Sequence, residues 1–208
     1  MTSESNHNYT EMQLDALQEM GNIGASHASS ALSKMMGTDV MIDVTESVVC
    51  KTEKVPEAFG DREMKVIAIY LDAFGVERGH MLIVMPIGMG IQFSDIILGR
   101  PATEGRELDD DDMAALSEIG NICASAYLSA ISDFLGNMLL PSTPSVTVDM
   151  QGAVLELPAA LAAETSNFAV LIKTNLKFNG VTYPGYILYL PDVSSQTLLM
   201  KKFEELGL

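Results

Sequence analysis

The stretch of sequence that decides the fold is EMGNIGAS at residues 19–26, because it recurs as EIGNICAS at residues 118–125. The first residues of the two copies, 19 and 118, are 99 positions apart in a chain of 208 residues. A repeat of about half the chain is longer than the roughly 20–50 residues of a solenoid unit. We therefore predict two copies of one structural unit, related by a pseudo-twofold axis.

Each copy of the stretch lies in a segment with the periodicity of an amphipathic helix. Thr10 and Gln13 fit a capping box, and the helical pattern then runs to about Met36, ahead of Gly37. The second segment ends in the same way, at Gly136. Small and apolar residues form one stripe on each helix, and a polar stripe lies beside it. The polar stripes contain Asp15, Glu19, Asn22, Ser26, Ser29 and Ser33 in the first copy, and Glu118, Asn121, Ser125 and Ser132 in the second.

Strand-like segments follow each long helix, and a shorter helix closes each copy. The predicted strands are 40–49, 64–74 and 79–85, then 145–155, 167–178 and 183–190, and the predicted closing helices are 87–98 and 194–206. We predict an α+β fold in which two pseudo-symmetric helix-strand-strand-strand-helix repeats, at about 10–99 and 109–207, form one layered domain over 1–208.

Composition and charge exclude several classes of function. The net charge of −16 argues against a nucleic-acid-binding protein and against docking on anionic lipid. No apolar segment is long enough to span a bilayer, so we expect no membrane insertion. Cys50 and Cys123 have no paired spacing, which favours free thiols and a cytoplasmic protein.

The repeated chemistry consists of a carboxylate and a carboxamide three residues apart on a helix. Glu19 with Asn22, and Glu118 with Asn121, therefore lie on neighbouring positions of one helix face. A carboxylate accepts hydrogen bonds and binds cations, whereas an amide both donates and accepts. These four residues are our catalytic candidates. A shared packing role would also explain the repeated glycine, alanine and serine, and both interpretations stay open at this point.

No other catalytic or metal-binding set stands out in the sequence. The three histidines have no metal-ligand spacing with the cysteines, and there is no phosphate-binding loop. We interpret the acidic run 109–112 as a solvated helix N-terminus rather than a metal site. If the chain is an enzyme, we expect it to orient water and to rely on a metal held elsewhere.

This combination resembles the CheC/CheX/FliY family of chemotaxis phosphatases, and its CheC-like members most closely. Their signature is [Asp or Ser]-x3-Glu-x2-Asn-x22-Pro, which CheC-like members carry twice. Here the glutamate and the asparagine are present in both copies. The flanking positions hold Asp15 and Thr45 in the first copy, and Ala114 and Pro144 in the second, so each copy departs from the signature at one position.

The resemblance implies a substrate, namely the phospho-aspartate of the chemotaxis response regulator CheY. It also implies that Asn22 and Asn121 hold the attacking water, and that Glu19 and Glu118 pair with a lysine of CheY. Asp15 and Pro144 would support the motif. The chain would need no cofactor of its own, since Mg²⁺ would belong to CheY. The receptor deamidase CheD is implied as a further partner.

Two alternatives remain alongside the phosphatase hypothesis. The first is a non-catalytic interaction module of the chemotaxis or flagellar switch apparatus, because switch proteins of the FliM kind resemble this family without the working motif. The second is a regulator of CheD in which hydrolysis is incidental.

Overall fold

The computed structural model describes residues 9–57, 61–75, 78–102, 105–163 and 168–208. The elements follow one another in chain order as α1 (Glu11–Met36), β1 (Val40–Lys51), a 3-10 helix (Thr52–Glu57), β2 (Lys65–Gly75), β3 (Gly79–Pro86), α2 (Ile87–Ile97), α3 (Asp110–Leu135), β4 (Leu139–Pro141), β5 (Ser145–Met150), α4 (Gln151–Ala163), β6 (Phe168–Phe178), β7 (Val181–Pro191) and α5 (Val193–Leu206). Among the residues described, no helix has both the length and the apolar character that crossing a membrane requires.

The long helices α1 and α3 begin and end in the same way. Each is 26 residues long, and each begins with a capping box, formed by Thr10 and Gln13 in α1 and by Asp109 and Asp112 in α3. In such a box the side chains satisfy backbone N–H groups that have no partner inside the helix. Each helix ends at a glycine in the left-handed conformation, with φ of 65° in α1 and 75° in α3. The capping box of α1 and both helix ends are as the sequence predicts.

The described strands form one antiparallel sheet to which both halves of the chain contribute. Its order is β1-β6-β7-β3-β2-β4, with β5 pairing with β2 beside β4. The central pair, β7 and β3, comes one from each half. On either side of this pair, β6 corresponds to β2 and β1 corresponds to β4 with β5. This order agrees with the predicted pseudo-twofold relation, and the α+β fold is confirmed.

The second repeat differs from the prediction in its outer strand. The predicted strand 145–155 is wrong beyond Met150, because Gln151 begins α4, and the short strand β4 was not predicted. Apolar runs of this length fit a strand or a buried helix equally well. Here Val154 and Leu155, exposed by 7% and 0%, pack against the sheet face opposite α1 and α3. Asn167, the predicted start of β6, lies outside the described residues.

Three glycines set how closely the long helices approach their neighbours. A Cβ atom on Gly24 of α1 would lie 2.6 Å from the ring of Tyr127 on α3, so the two helices touch at this point. A Cβ atom on Gly120 of α3 would lie 2.4 Å from Ile69 of β2. The equivalent residue of α1, Gly21, has more room, because its Cβ atom would lie 3.6 Å from Ile172 of β6.

The N-terminus of α3 is held by a cluster of charges. Asp112 is fully buried and bonds to Arg106, which also donates to Asp95 at 2.6 Å. Arg100 donates to Asp109 and Asp112 at 2.9 and 3.1 Å. The hydrogen bond from Arg106 holds the pKa of Asp112 well below its usual range, despite the opposing effect of burial. Our interpretation of the acidic run as solvated is therefore wrong for Asp112, although the run does begin the helix.

The two equivalent glycines provide a matched test of helix packing. We expect Gly120→Ala to lower the free energy of unfolding by about 1–3 kcal/mol, because a branched side chain blocks the new methyl group. We expect Gly21→Ala to leave the free energy unchanged or to raise it by up to about 1 kcal/mol, because alanine favours the helix. Urea denaturation of both variants measures the difference, and equal effects would contradict the packing described for these helices.

The Asp112 cluster predicts a specific acid sensitivity. The pKa of Asp112 is lower in the folded protein than in the unfolded chain. The carboxylate therefore contributes fully to the free energy of unfolding above about pH 4, and this contribution is lost as the pH falls towards the folded pKa. We expect Asp112→Asn to cost roughly 3 kcal/mol at pH 7 and to flatten the loss of stability below pH 4. Asp110→Asn, at an exposed neighbour, is the control. If the free energy of unfolding of Asp112→Asn fell as steeply below pH 4 as that of the wild type, the prediction would be wrong.

Candidate functional site

Each long helix presents one of the predicted Glu-Asn pairs at the protein surface. Glu19, Asn22 and Glu118 are exposed, and Asn121 is half-buried. Within the part of the chain that the structure describes, none of the four side chains forms a hydrogen bond or an ion pair, and none links one pair to the other. The structure thus presents two separate sites, which we name the first site (Glu19 and Asn22) and the second site (Glu118 and Asn121).

The residues between each glutamate and asparagine anchor the site to the core. In the first site these are Met20 and Gly21, and in the second they are Ile119 and Gly120. Met20 and Ile119 are exposed by only 7% and 1%, and the glycines face the sheet. A single helical turn therefore carries its core contacts on one side and its two polar side chains on the other. This amphipathic pattern is what holds the acid and the amide outward.

Serines further along the polar stripes bind the outer strands instead of facing a partner. Ser33 and Ser29 of α1 accept hydrogen bonds from the backbone N–H groups of Val40 and Ile42, both at 2.8 Å. In the second half, Ser132 of α3 accepts from Leu139 at 2.9 Å. Ser33 and Ser132 are equivalent in the repeat. Both serines belong to the polar stripes that the sequence predicts. In the structure their hydrogen bonds connect each helix to the outer strand of the sheet.

The motif positions at Thr45 and Pro144 mark equivalent irregularities in the outer strands. Thr45 lies where the register of β1 against β6 shifts, and its hydroxyl donates to the carbonyl of Lys173 at 3.1 Å. Pro144 lies in the gap between β4 and β5. A proline lacks the N–H group that a regular strand needs, so it fits this break. The structure therefore gives both positions a role in backbone shape.

The other predicted positions lie on the outer face of α1 and at the beginning of α3. Asp15 is exposed one turn before Glu19, and Ala114 is exposed at the equivalent place. Ile23, next to Asn22, is 39% exposed, whereas the equivalent Ile122 is half-buried. The first site thus has the more acidic surroundings and one accessible apolar side chain beside its amide.

The chemistry available at each site is that of a free carboxylate and a free amide. Among the described residues, no group of three or more His, Cys, Asp or Glu side chains is arranged to hold a metal ion. His27 is exposed on α1, and both cysteines are buried free thiols. Such a site can attract a cation and orient a water molecule for a reaction on another molecule.

Comparison with known proteins identifies the relatives of this chain. The model of the CheC-like family matches residues 12–44 and 112–148, which contain both sites. The chain is 31% identical over 189 residues to the CheY-P phosphatase CheC of Bacillus subtilis, and the match covers 89% of this chain and 90% of that protein. It is also 25% identical over 128 residues to the flagellar motor switch phosphatase FliY of Bacillus subtilis, covering 62% of this chain and 30% of FliY.

Solved structures show the same fold at lower sequence identity. The Thermotoga maritima FliY structure matches with a TM-score of 0.74 and 18% identity, covering 95% of this chain and 98% of that one. The FliM middle domain of H. pylori matches with a TM-score of 0.66 and 13% identity, covering 93% and 99%. The 31% identity to CheC over 89% of the chain, together with the duplicated helices and the shared sheet, shows that this chain belongs to the CheC-like family.

Proposed function

We propose that this protein is a phosphatase that removes the phosphoryl group from the phospho-aspartate of the chemotaxis response regulator CheY. The name of its 31% identical relative, a CheY-P phosphatase, supports the substrate. The two Glu-Asn pairs, in which Glu19, Asn22 and Glu118 are exposed and Asn121 is half-buried, support the chemistry. Both pairs lie on helices of 26 residues that begin and end in the same way, so one mechanism serves both sites.

The observation that carries the proposal is the unpaired state of these side chains within the described chain. Charged and amide groups that stabilise a fold normally bond to their own protein, and the serines of the same stripes do so. Glu19, Asn22 and Glu118 are exposed. They lie nearer the N-terminal end of their helices than those serines do. This division favours a role for the pairs in binding another molecule.

The asparagines would position the water that attacks phosphorus. An acyl phosphate is already reactive, so catalysis consists mainly of placing a water in line and compensating charge. The amide oxygen accepts a hydrogen bond from the water, which directs a lone pair of the water towards phosphorus. The phosphorus–oxygen bond to the aspartate breaks as the new bond forms, which releases inorganic phosphate and the free carboxylate. The Mg²⁺ that compensates the phosphoryl charge would be held by CheY.

The glutamates would fix the docked position by pairing with a lysine at the active site of CheY. The net charge of −16 adds a long-range attraction for a partner with a basic patch. Asp15 extends the negative charge of the first site by one turn, whereas Ala114 does not do so in the second. CheD stays a further predicted partner on the strength of the family resemblance.

Structural similarity favours one second candidate, a non-catalytic interaction module. FliM middle domains share the fold at a TM-score of 0.66, although an identity of 13% carries no information about activity. A purely interacting module would bind CheY without changing the lifetime of its phosphoryl group. The two candidates therefore differ in one measurable quantity, the rate at which phosphorylated CheY decays.

Removing the amides tests the proposed mechanism. We expect the wild type to accelerate the decay of phosphorylated CheY, and Asn22→Ala with Asn121→Ala together to lower kcat by about 10²-fold, as for the loss of a preorganised hydrogen-bonding group. The single variants measure how turnover divides between the two sites. Decay is followed with radiolabelled phosphoryl groups on CheY.

Asn175→Ala is the matched control, because it removes a half-buried amide that lies on β6 and not on either long helix. It should retain wild-type activity. If the wild type binds CheY without accelerating decay, the interaction module is correct and the phosphatase proposal is wrong.

Neutralising the glutamates should affect docking more than chemistry. We expect Glu19→Gln with Glu118→Gln to raise KM and to weaken its dependence on salt, because an ion pair with CheY is lost. Glu204→Gln, at an exposed position on α5, should leave KM unchanged. Decay rates measured over a range of CheY concentrations at low and high salt separate KM from kcat. An unchanged KM in the double variant would exclude the proposed ion pairs.

A further inference from the structure

The two sites differ in how much of each helix face another protein can reach. The exposed side chains around the first site are Glu19, Asn22, Ile23, Ser26 and His27. On the equivalent face of α3, Asn121 and Ile122 are half-buried, and Ala126, which corresponds to His27, is only 9% exposed. A partner can therefore contact the first site without displacing other parts of this chain, whereas Asn121 of the second site is partly covered.

Two exposed apolar side chains continue the first site along α1. Met12 is 55% exposed, and Ile23 is 39% exposed. They lie seven residues before Glu19 and four residues after it, which is two turns and one turn of an α-helix, so the three residues share one row on the helix surface. Single exposed apolar residues are normal on a protein surface, but here two of them lie on either side of the acid of a proposed site. Protein interfaces combine apolar contacts of this kind with polar groups.

The equivalent row of α3 has no such pair of apolar side chains. The position of Met12 corresponds to Asp111, whose carboxylate accepts a hydrogen bond from Arg100 at 3.0 Å. The position of Ile23 corresponds to Ile122, which packs against the core. Since α3 forms the same type of helix with an aspartate at the first of these positions, the fold does not require an apolar residue there. The exposed row of α1 is therefore available for a role outside the fold.

The charges within one turn of each glutamate favour the first site in the same way. Asp15 lies one turn before Glu19, and neither carboxylate forms an ion pair within the part of the chain that the structure describes. Like charges four residues apart on a helix repel each other, and a cation supplied by a partner relieves this repulsion. Glu118 has Ala114 at the equivalent position and no acid within one turn. A basic group of a partner is therefore held more strongly at the first site.

We propose that the first site is the higher-affinity docking site for phosphorylated CheY, and that Ile23 is its specificity-determining apolar contact. This inference rests on the proposed function for the identity of the partner, CheY. Ile23 is the neighbour of Asn22 on the outer face of α1, so its contact with CheY forms beside the phosphoryl group that the amide approaches. Departures from the family signature do not decide between the two sites, because each copy has one of them.

Kinetic measurements with one site at a time compare the two sites. In a background of Asn121→Ala only the first site operates, and in a background of Asn22→Ala only the second site does. We expect the KM for phosphorylated CheY to be at least about threefold lower when the first site operates, because only this site adds an exposed apolar contact and a second acid to the docked complex. An equal or higher KM at the first site overturns the proposal.

Ile23→Ala tests the apolar contact itself. With only the first site operating, we expect this change to raise KM about 5–10-fold and to leave kcat unchanged, since an apolar contact stabilises the bound substrate and the transition state alike. With only the second site operating, it should change neither value. Val193→Ala, which shortens an exposed apolar side chain on α5, is the matched control and should change neither value in either background. An unchanged KM in Ile23→Ala at the first site overturns the role of this residue.

Binding without hydrolysis separates this inference from the proposed function. Beryllofluoride takes the place of a phosphoryl group on a carboxylate, and we expect CheY loaded with it to bind Ile23→Ala about 5–10-fold more weakly than the wild type at the tighter site, as measured by fluorescence titration. If loaded CheY binds in this way but the wild type does not accelerate the decay of phosphorylated CheY, the phosphatase proposal is wrong and the docking site stands. If decay is accelerated and Ile23→Ala binds as tightly as the wild type, the docking inference is wrong and the phosphatase proposal stands. Absence of binding to the wild type overturns both.

Discussion

The close contact between each long helix and the central sheet is the constraint on which both sites depend. The contact is closest at Gly120, where a Cβ atom would lie 2.4 Å from Ile69, and it is looser at the equivalent Gly21, where a Cβ atom would lie 3.6 Å from Ile172. A helix that faces the sheet with one side of a turn must direct the other side to solvent. The outward placement of the glutamate and the asparagine is thus a consequence of packing rather than of contacts that the two side chains make themselves.

The polar stripe of each helix divides, for a physical reason, into a part that bonds to the edge of the sheet and a part that holds the catalytic candidates. Near the C-terminal end of the helix, the edge strand offers backbone N–H groups that lack a partner in the sheet, and Ser33 and Ser132 accept hydrogen bonds from them. Further along, the edge strand bends at Thr45 or breaks at Pro144. The serines and the catalytic candidates therefore look alike in the sequence, although the strand beside them decides what each one does.

Local patterns predicted the long helices, their ends and the repeat, because capping and periodicity act within a few residues. Features that depend on distant residues were not predictable in the same way. The burial of Asp112 requires Arg106 and Asp95 from other segments. The predicted strand 145–155 includes the first five residues of α4, because this apolar run fits a strand and a helix equally well. The placement of the two Glu-Asn pairs followed from the sequence, whereas the different packing beneath Gly21 and Gly120 became visible only in three dimensions.

Duplication explains why the two sites carry the same acid and amide, although the packing beneath them differs. Each site presents the same acid and amide on its helix. The interior needs only to fill space, and there Gly120 presses tightly on Ile69 while Gly21 leaves room beside Ile172. Under the proposed mechanism, the position of each amide would depend on the packing of the helical turn that carries it. The two sites therefore differ in the packing below them as well as in the residues around them, and either difference can set them apart.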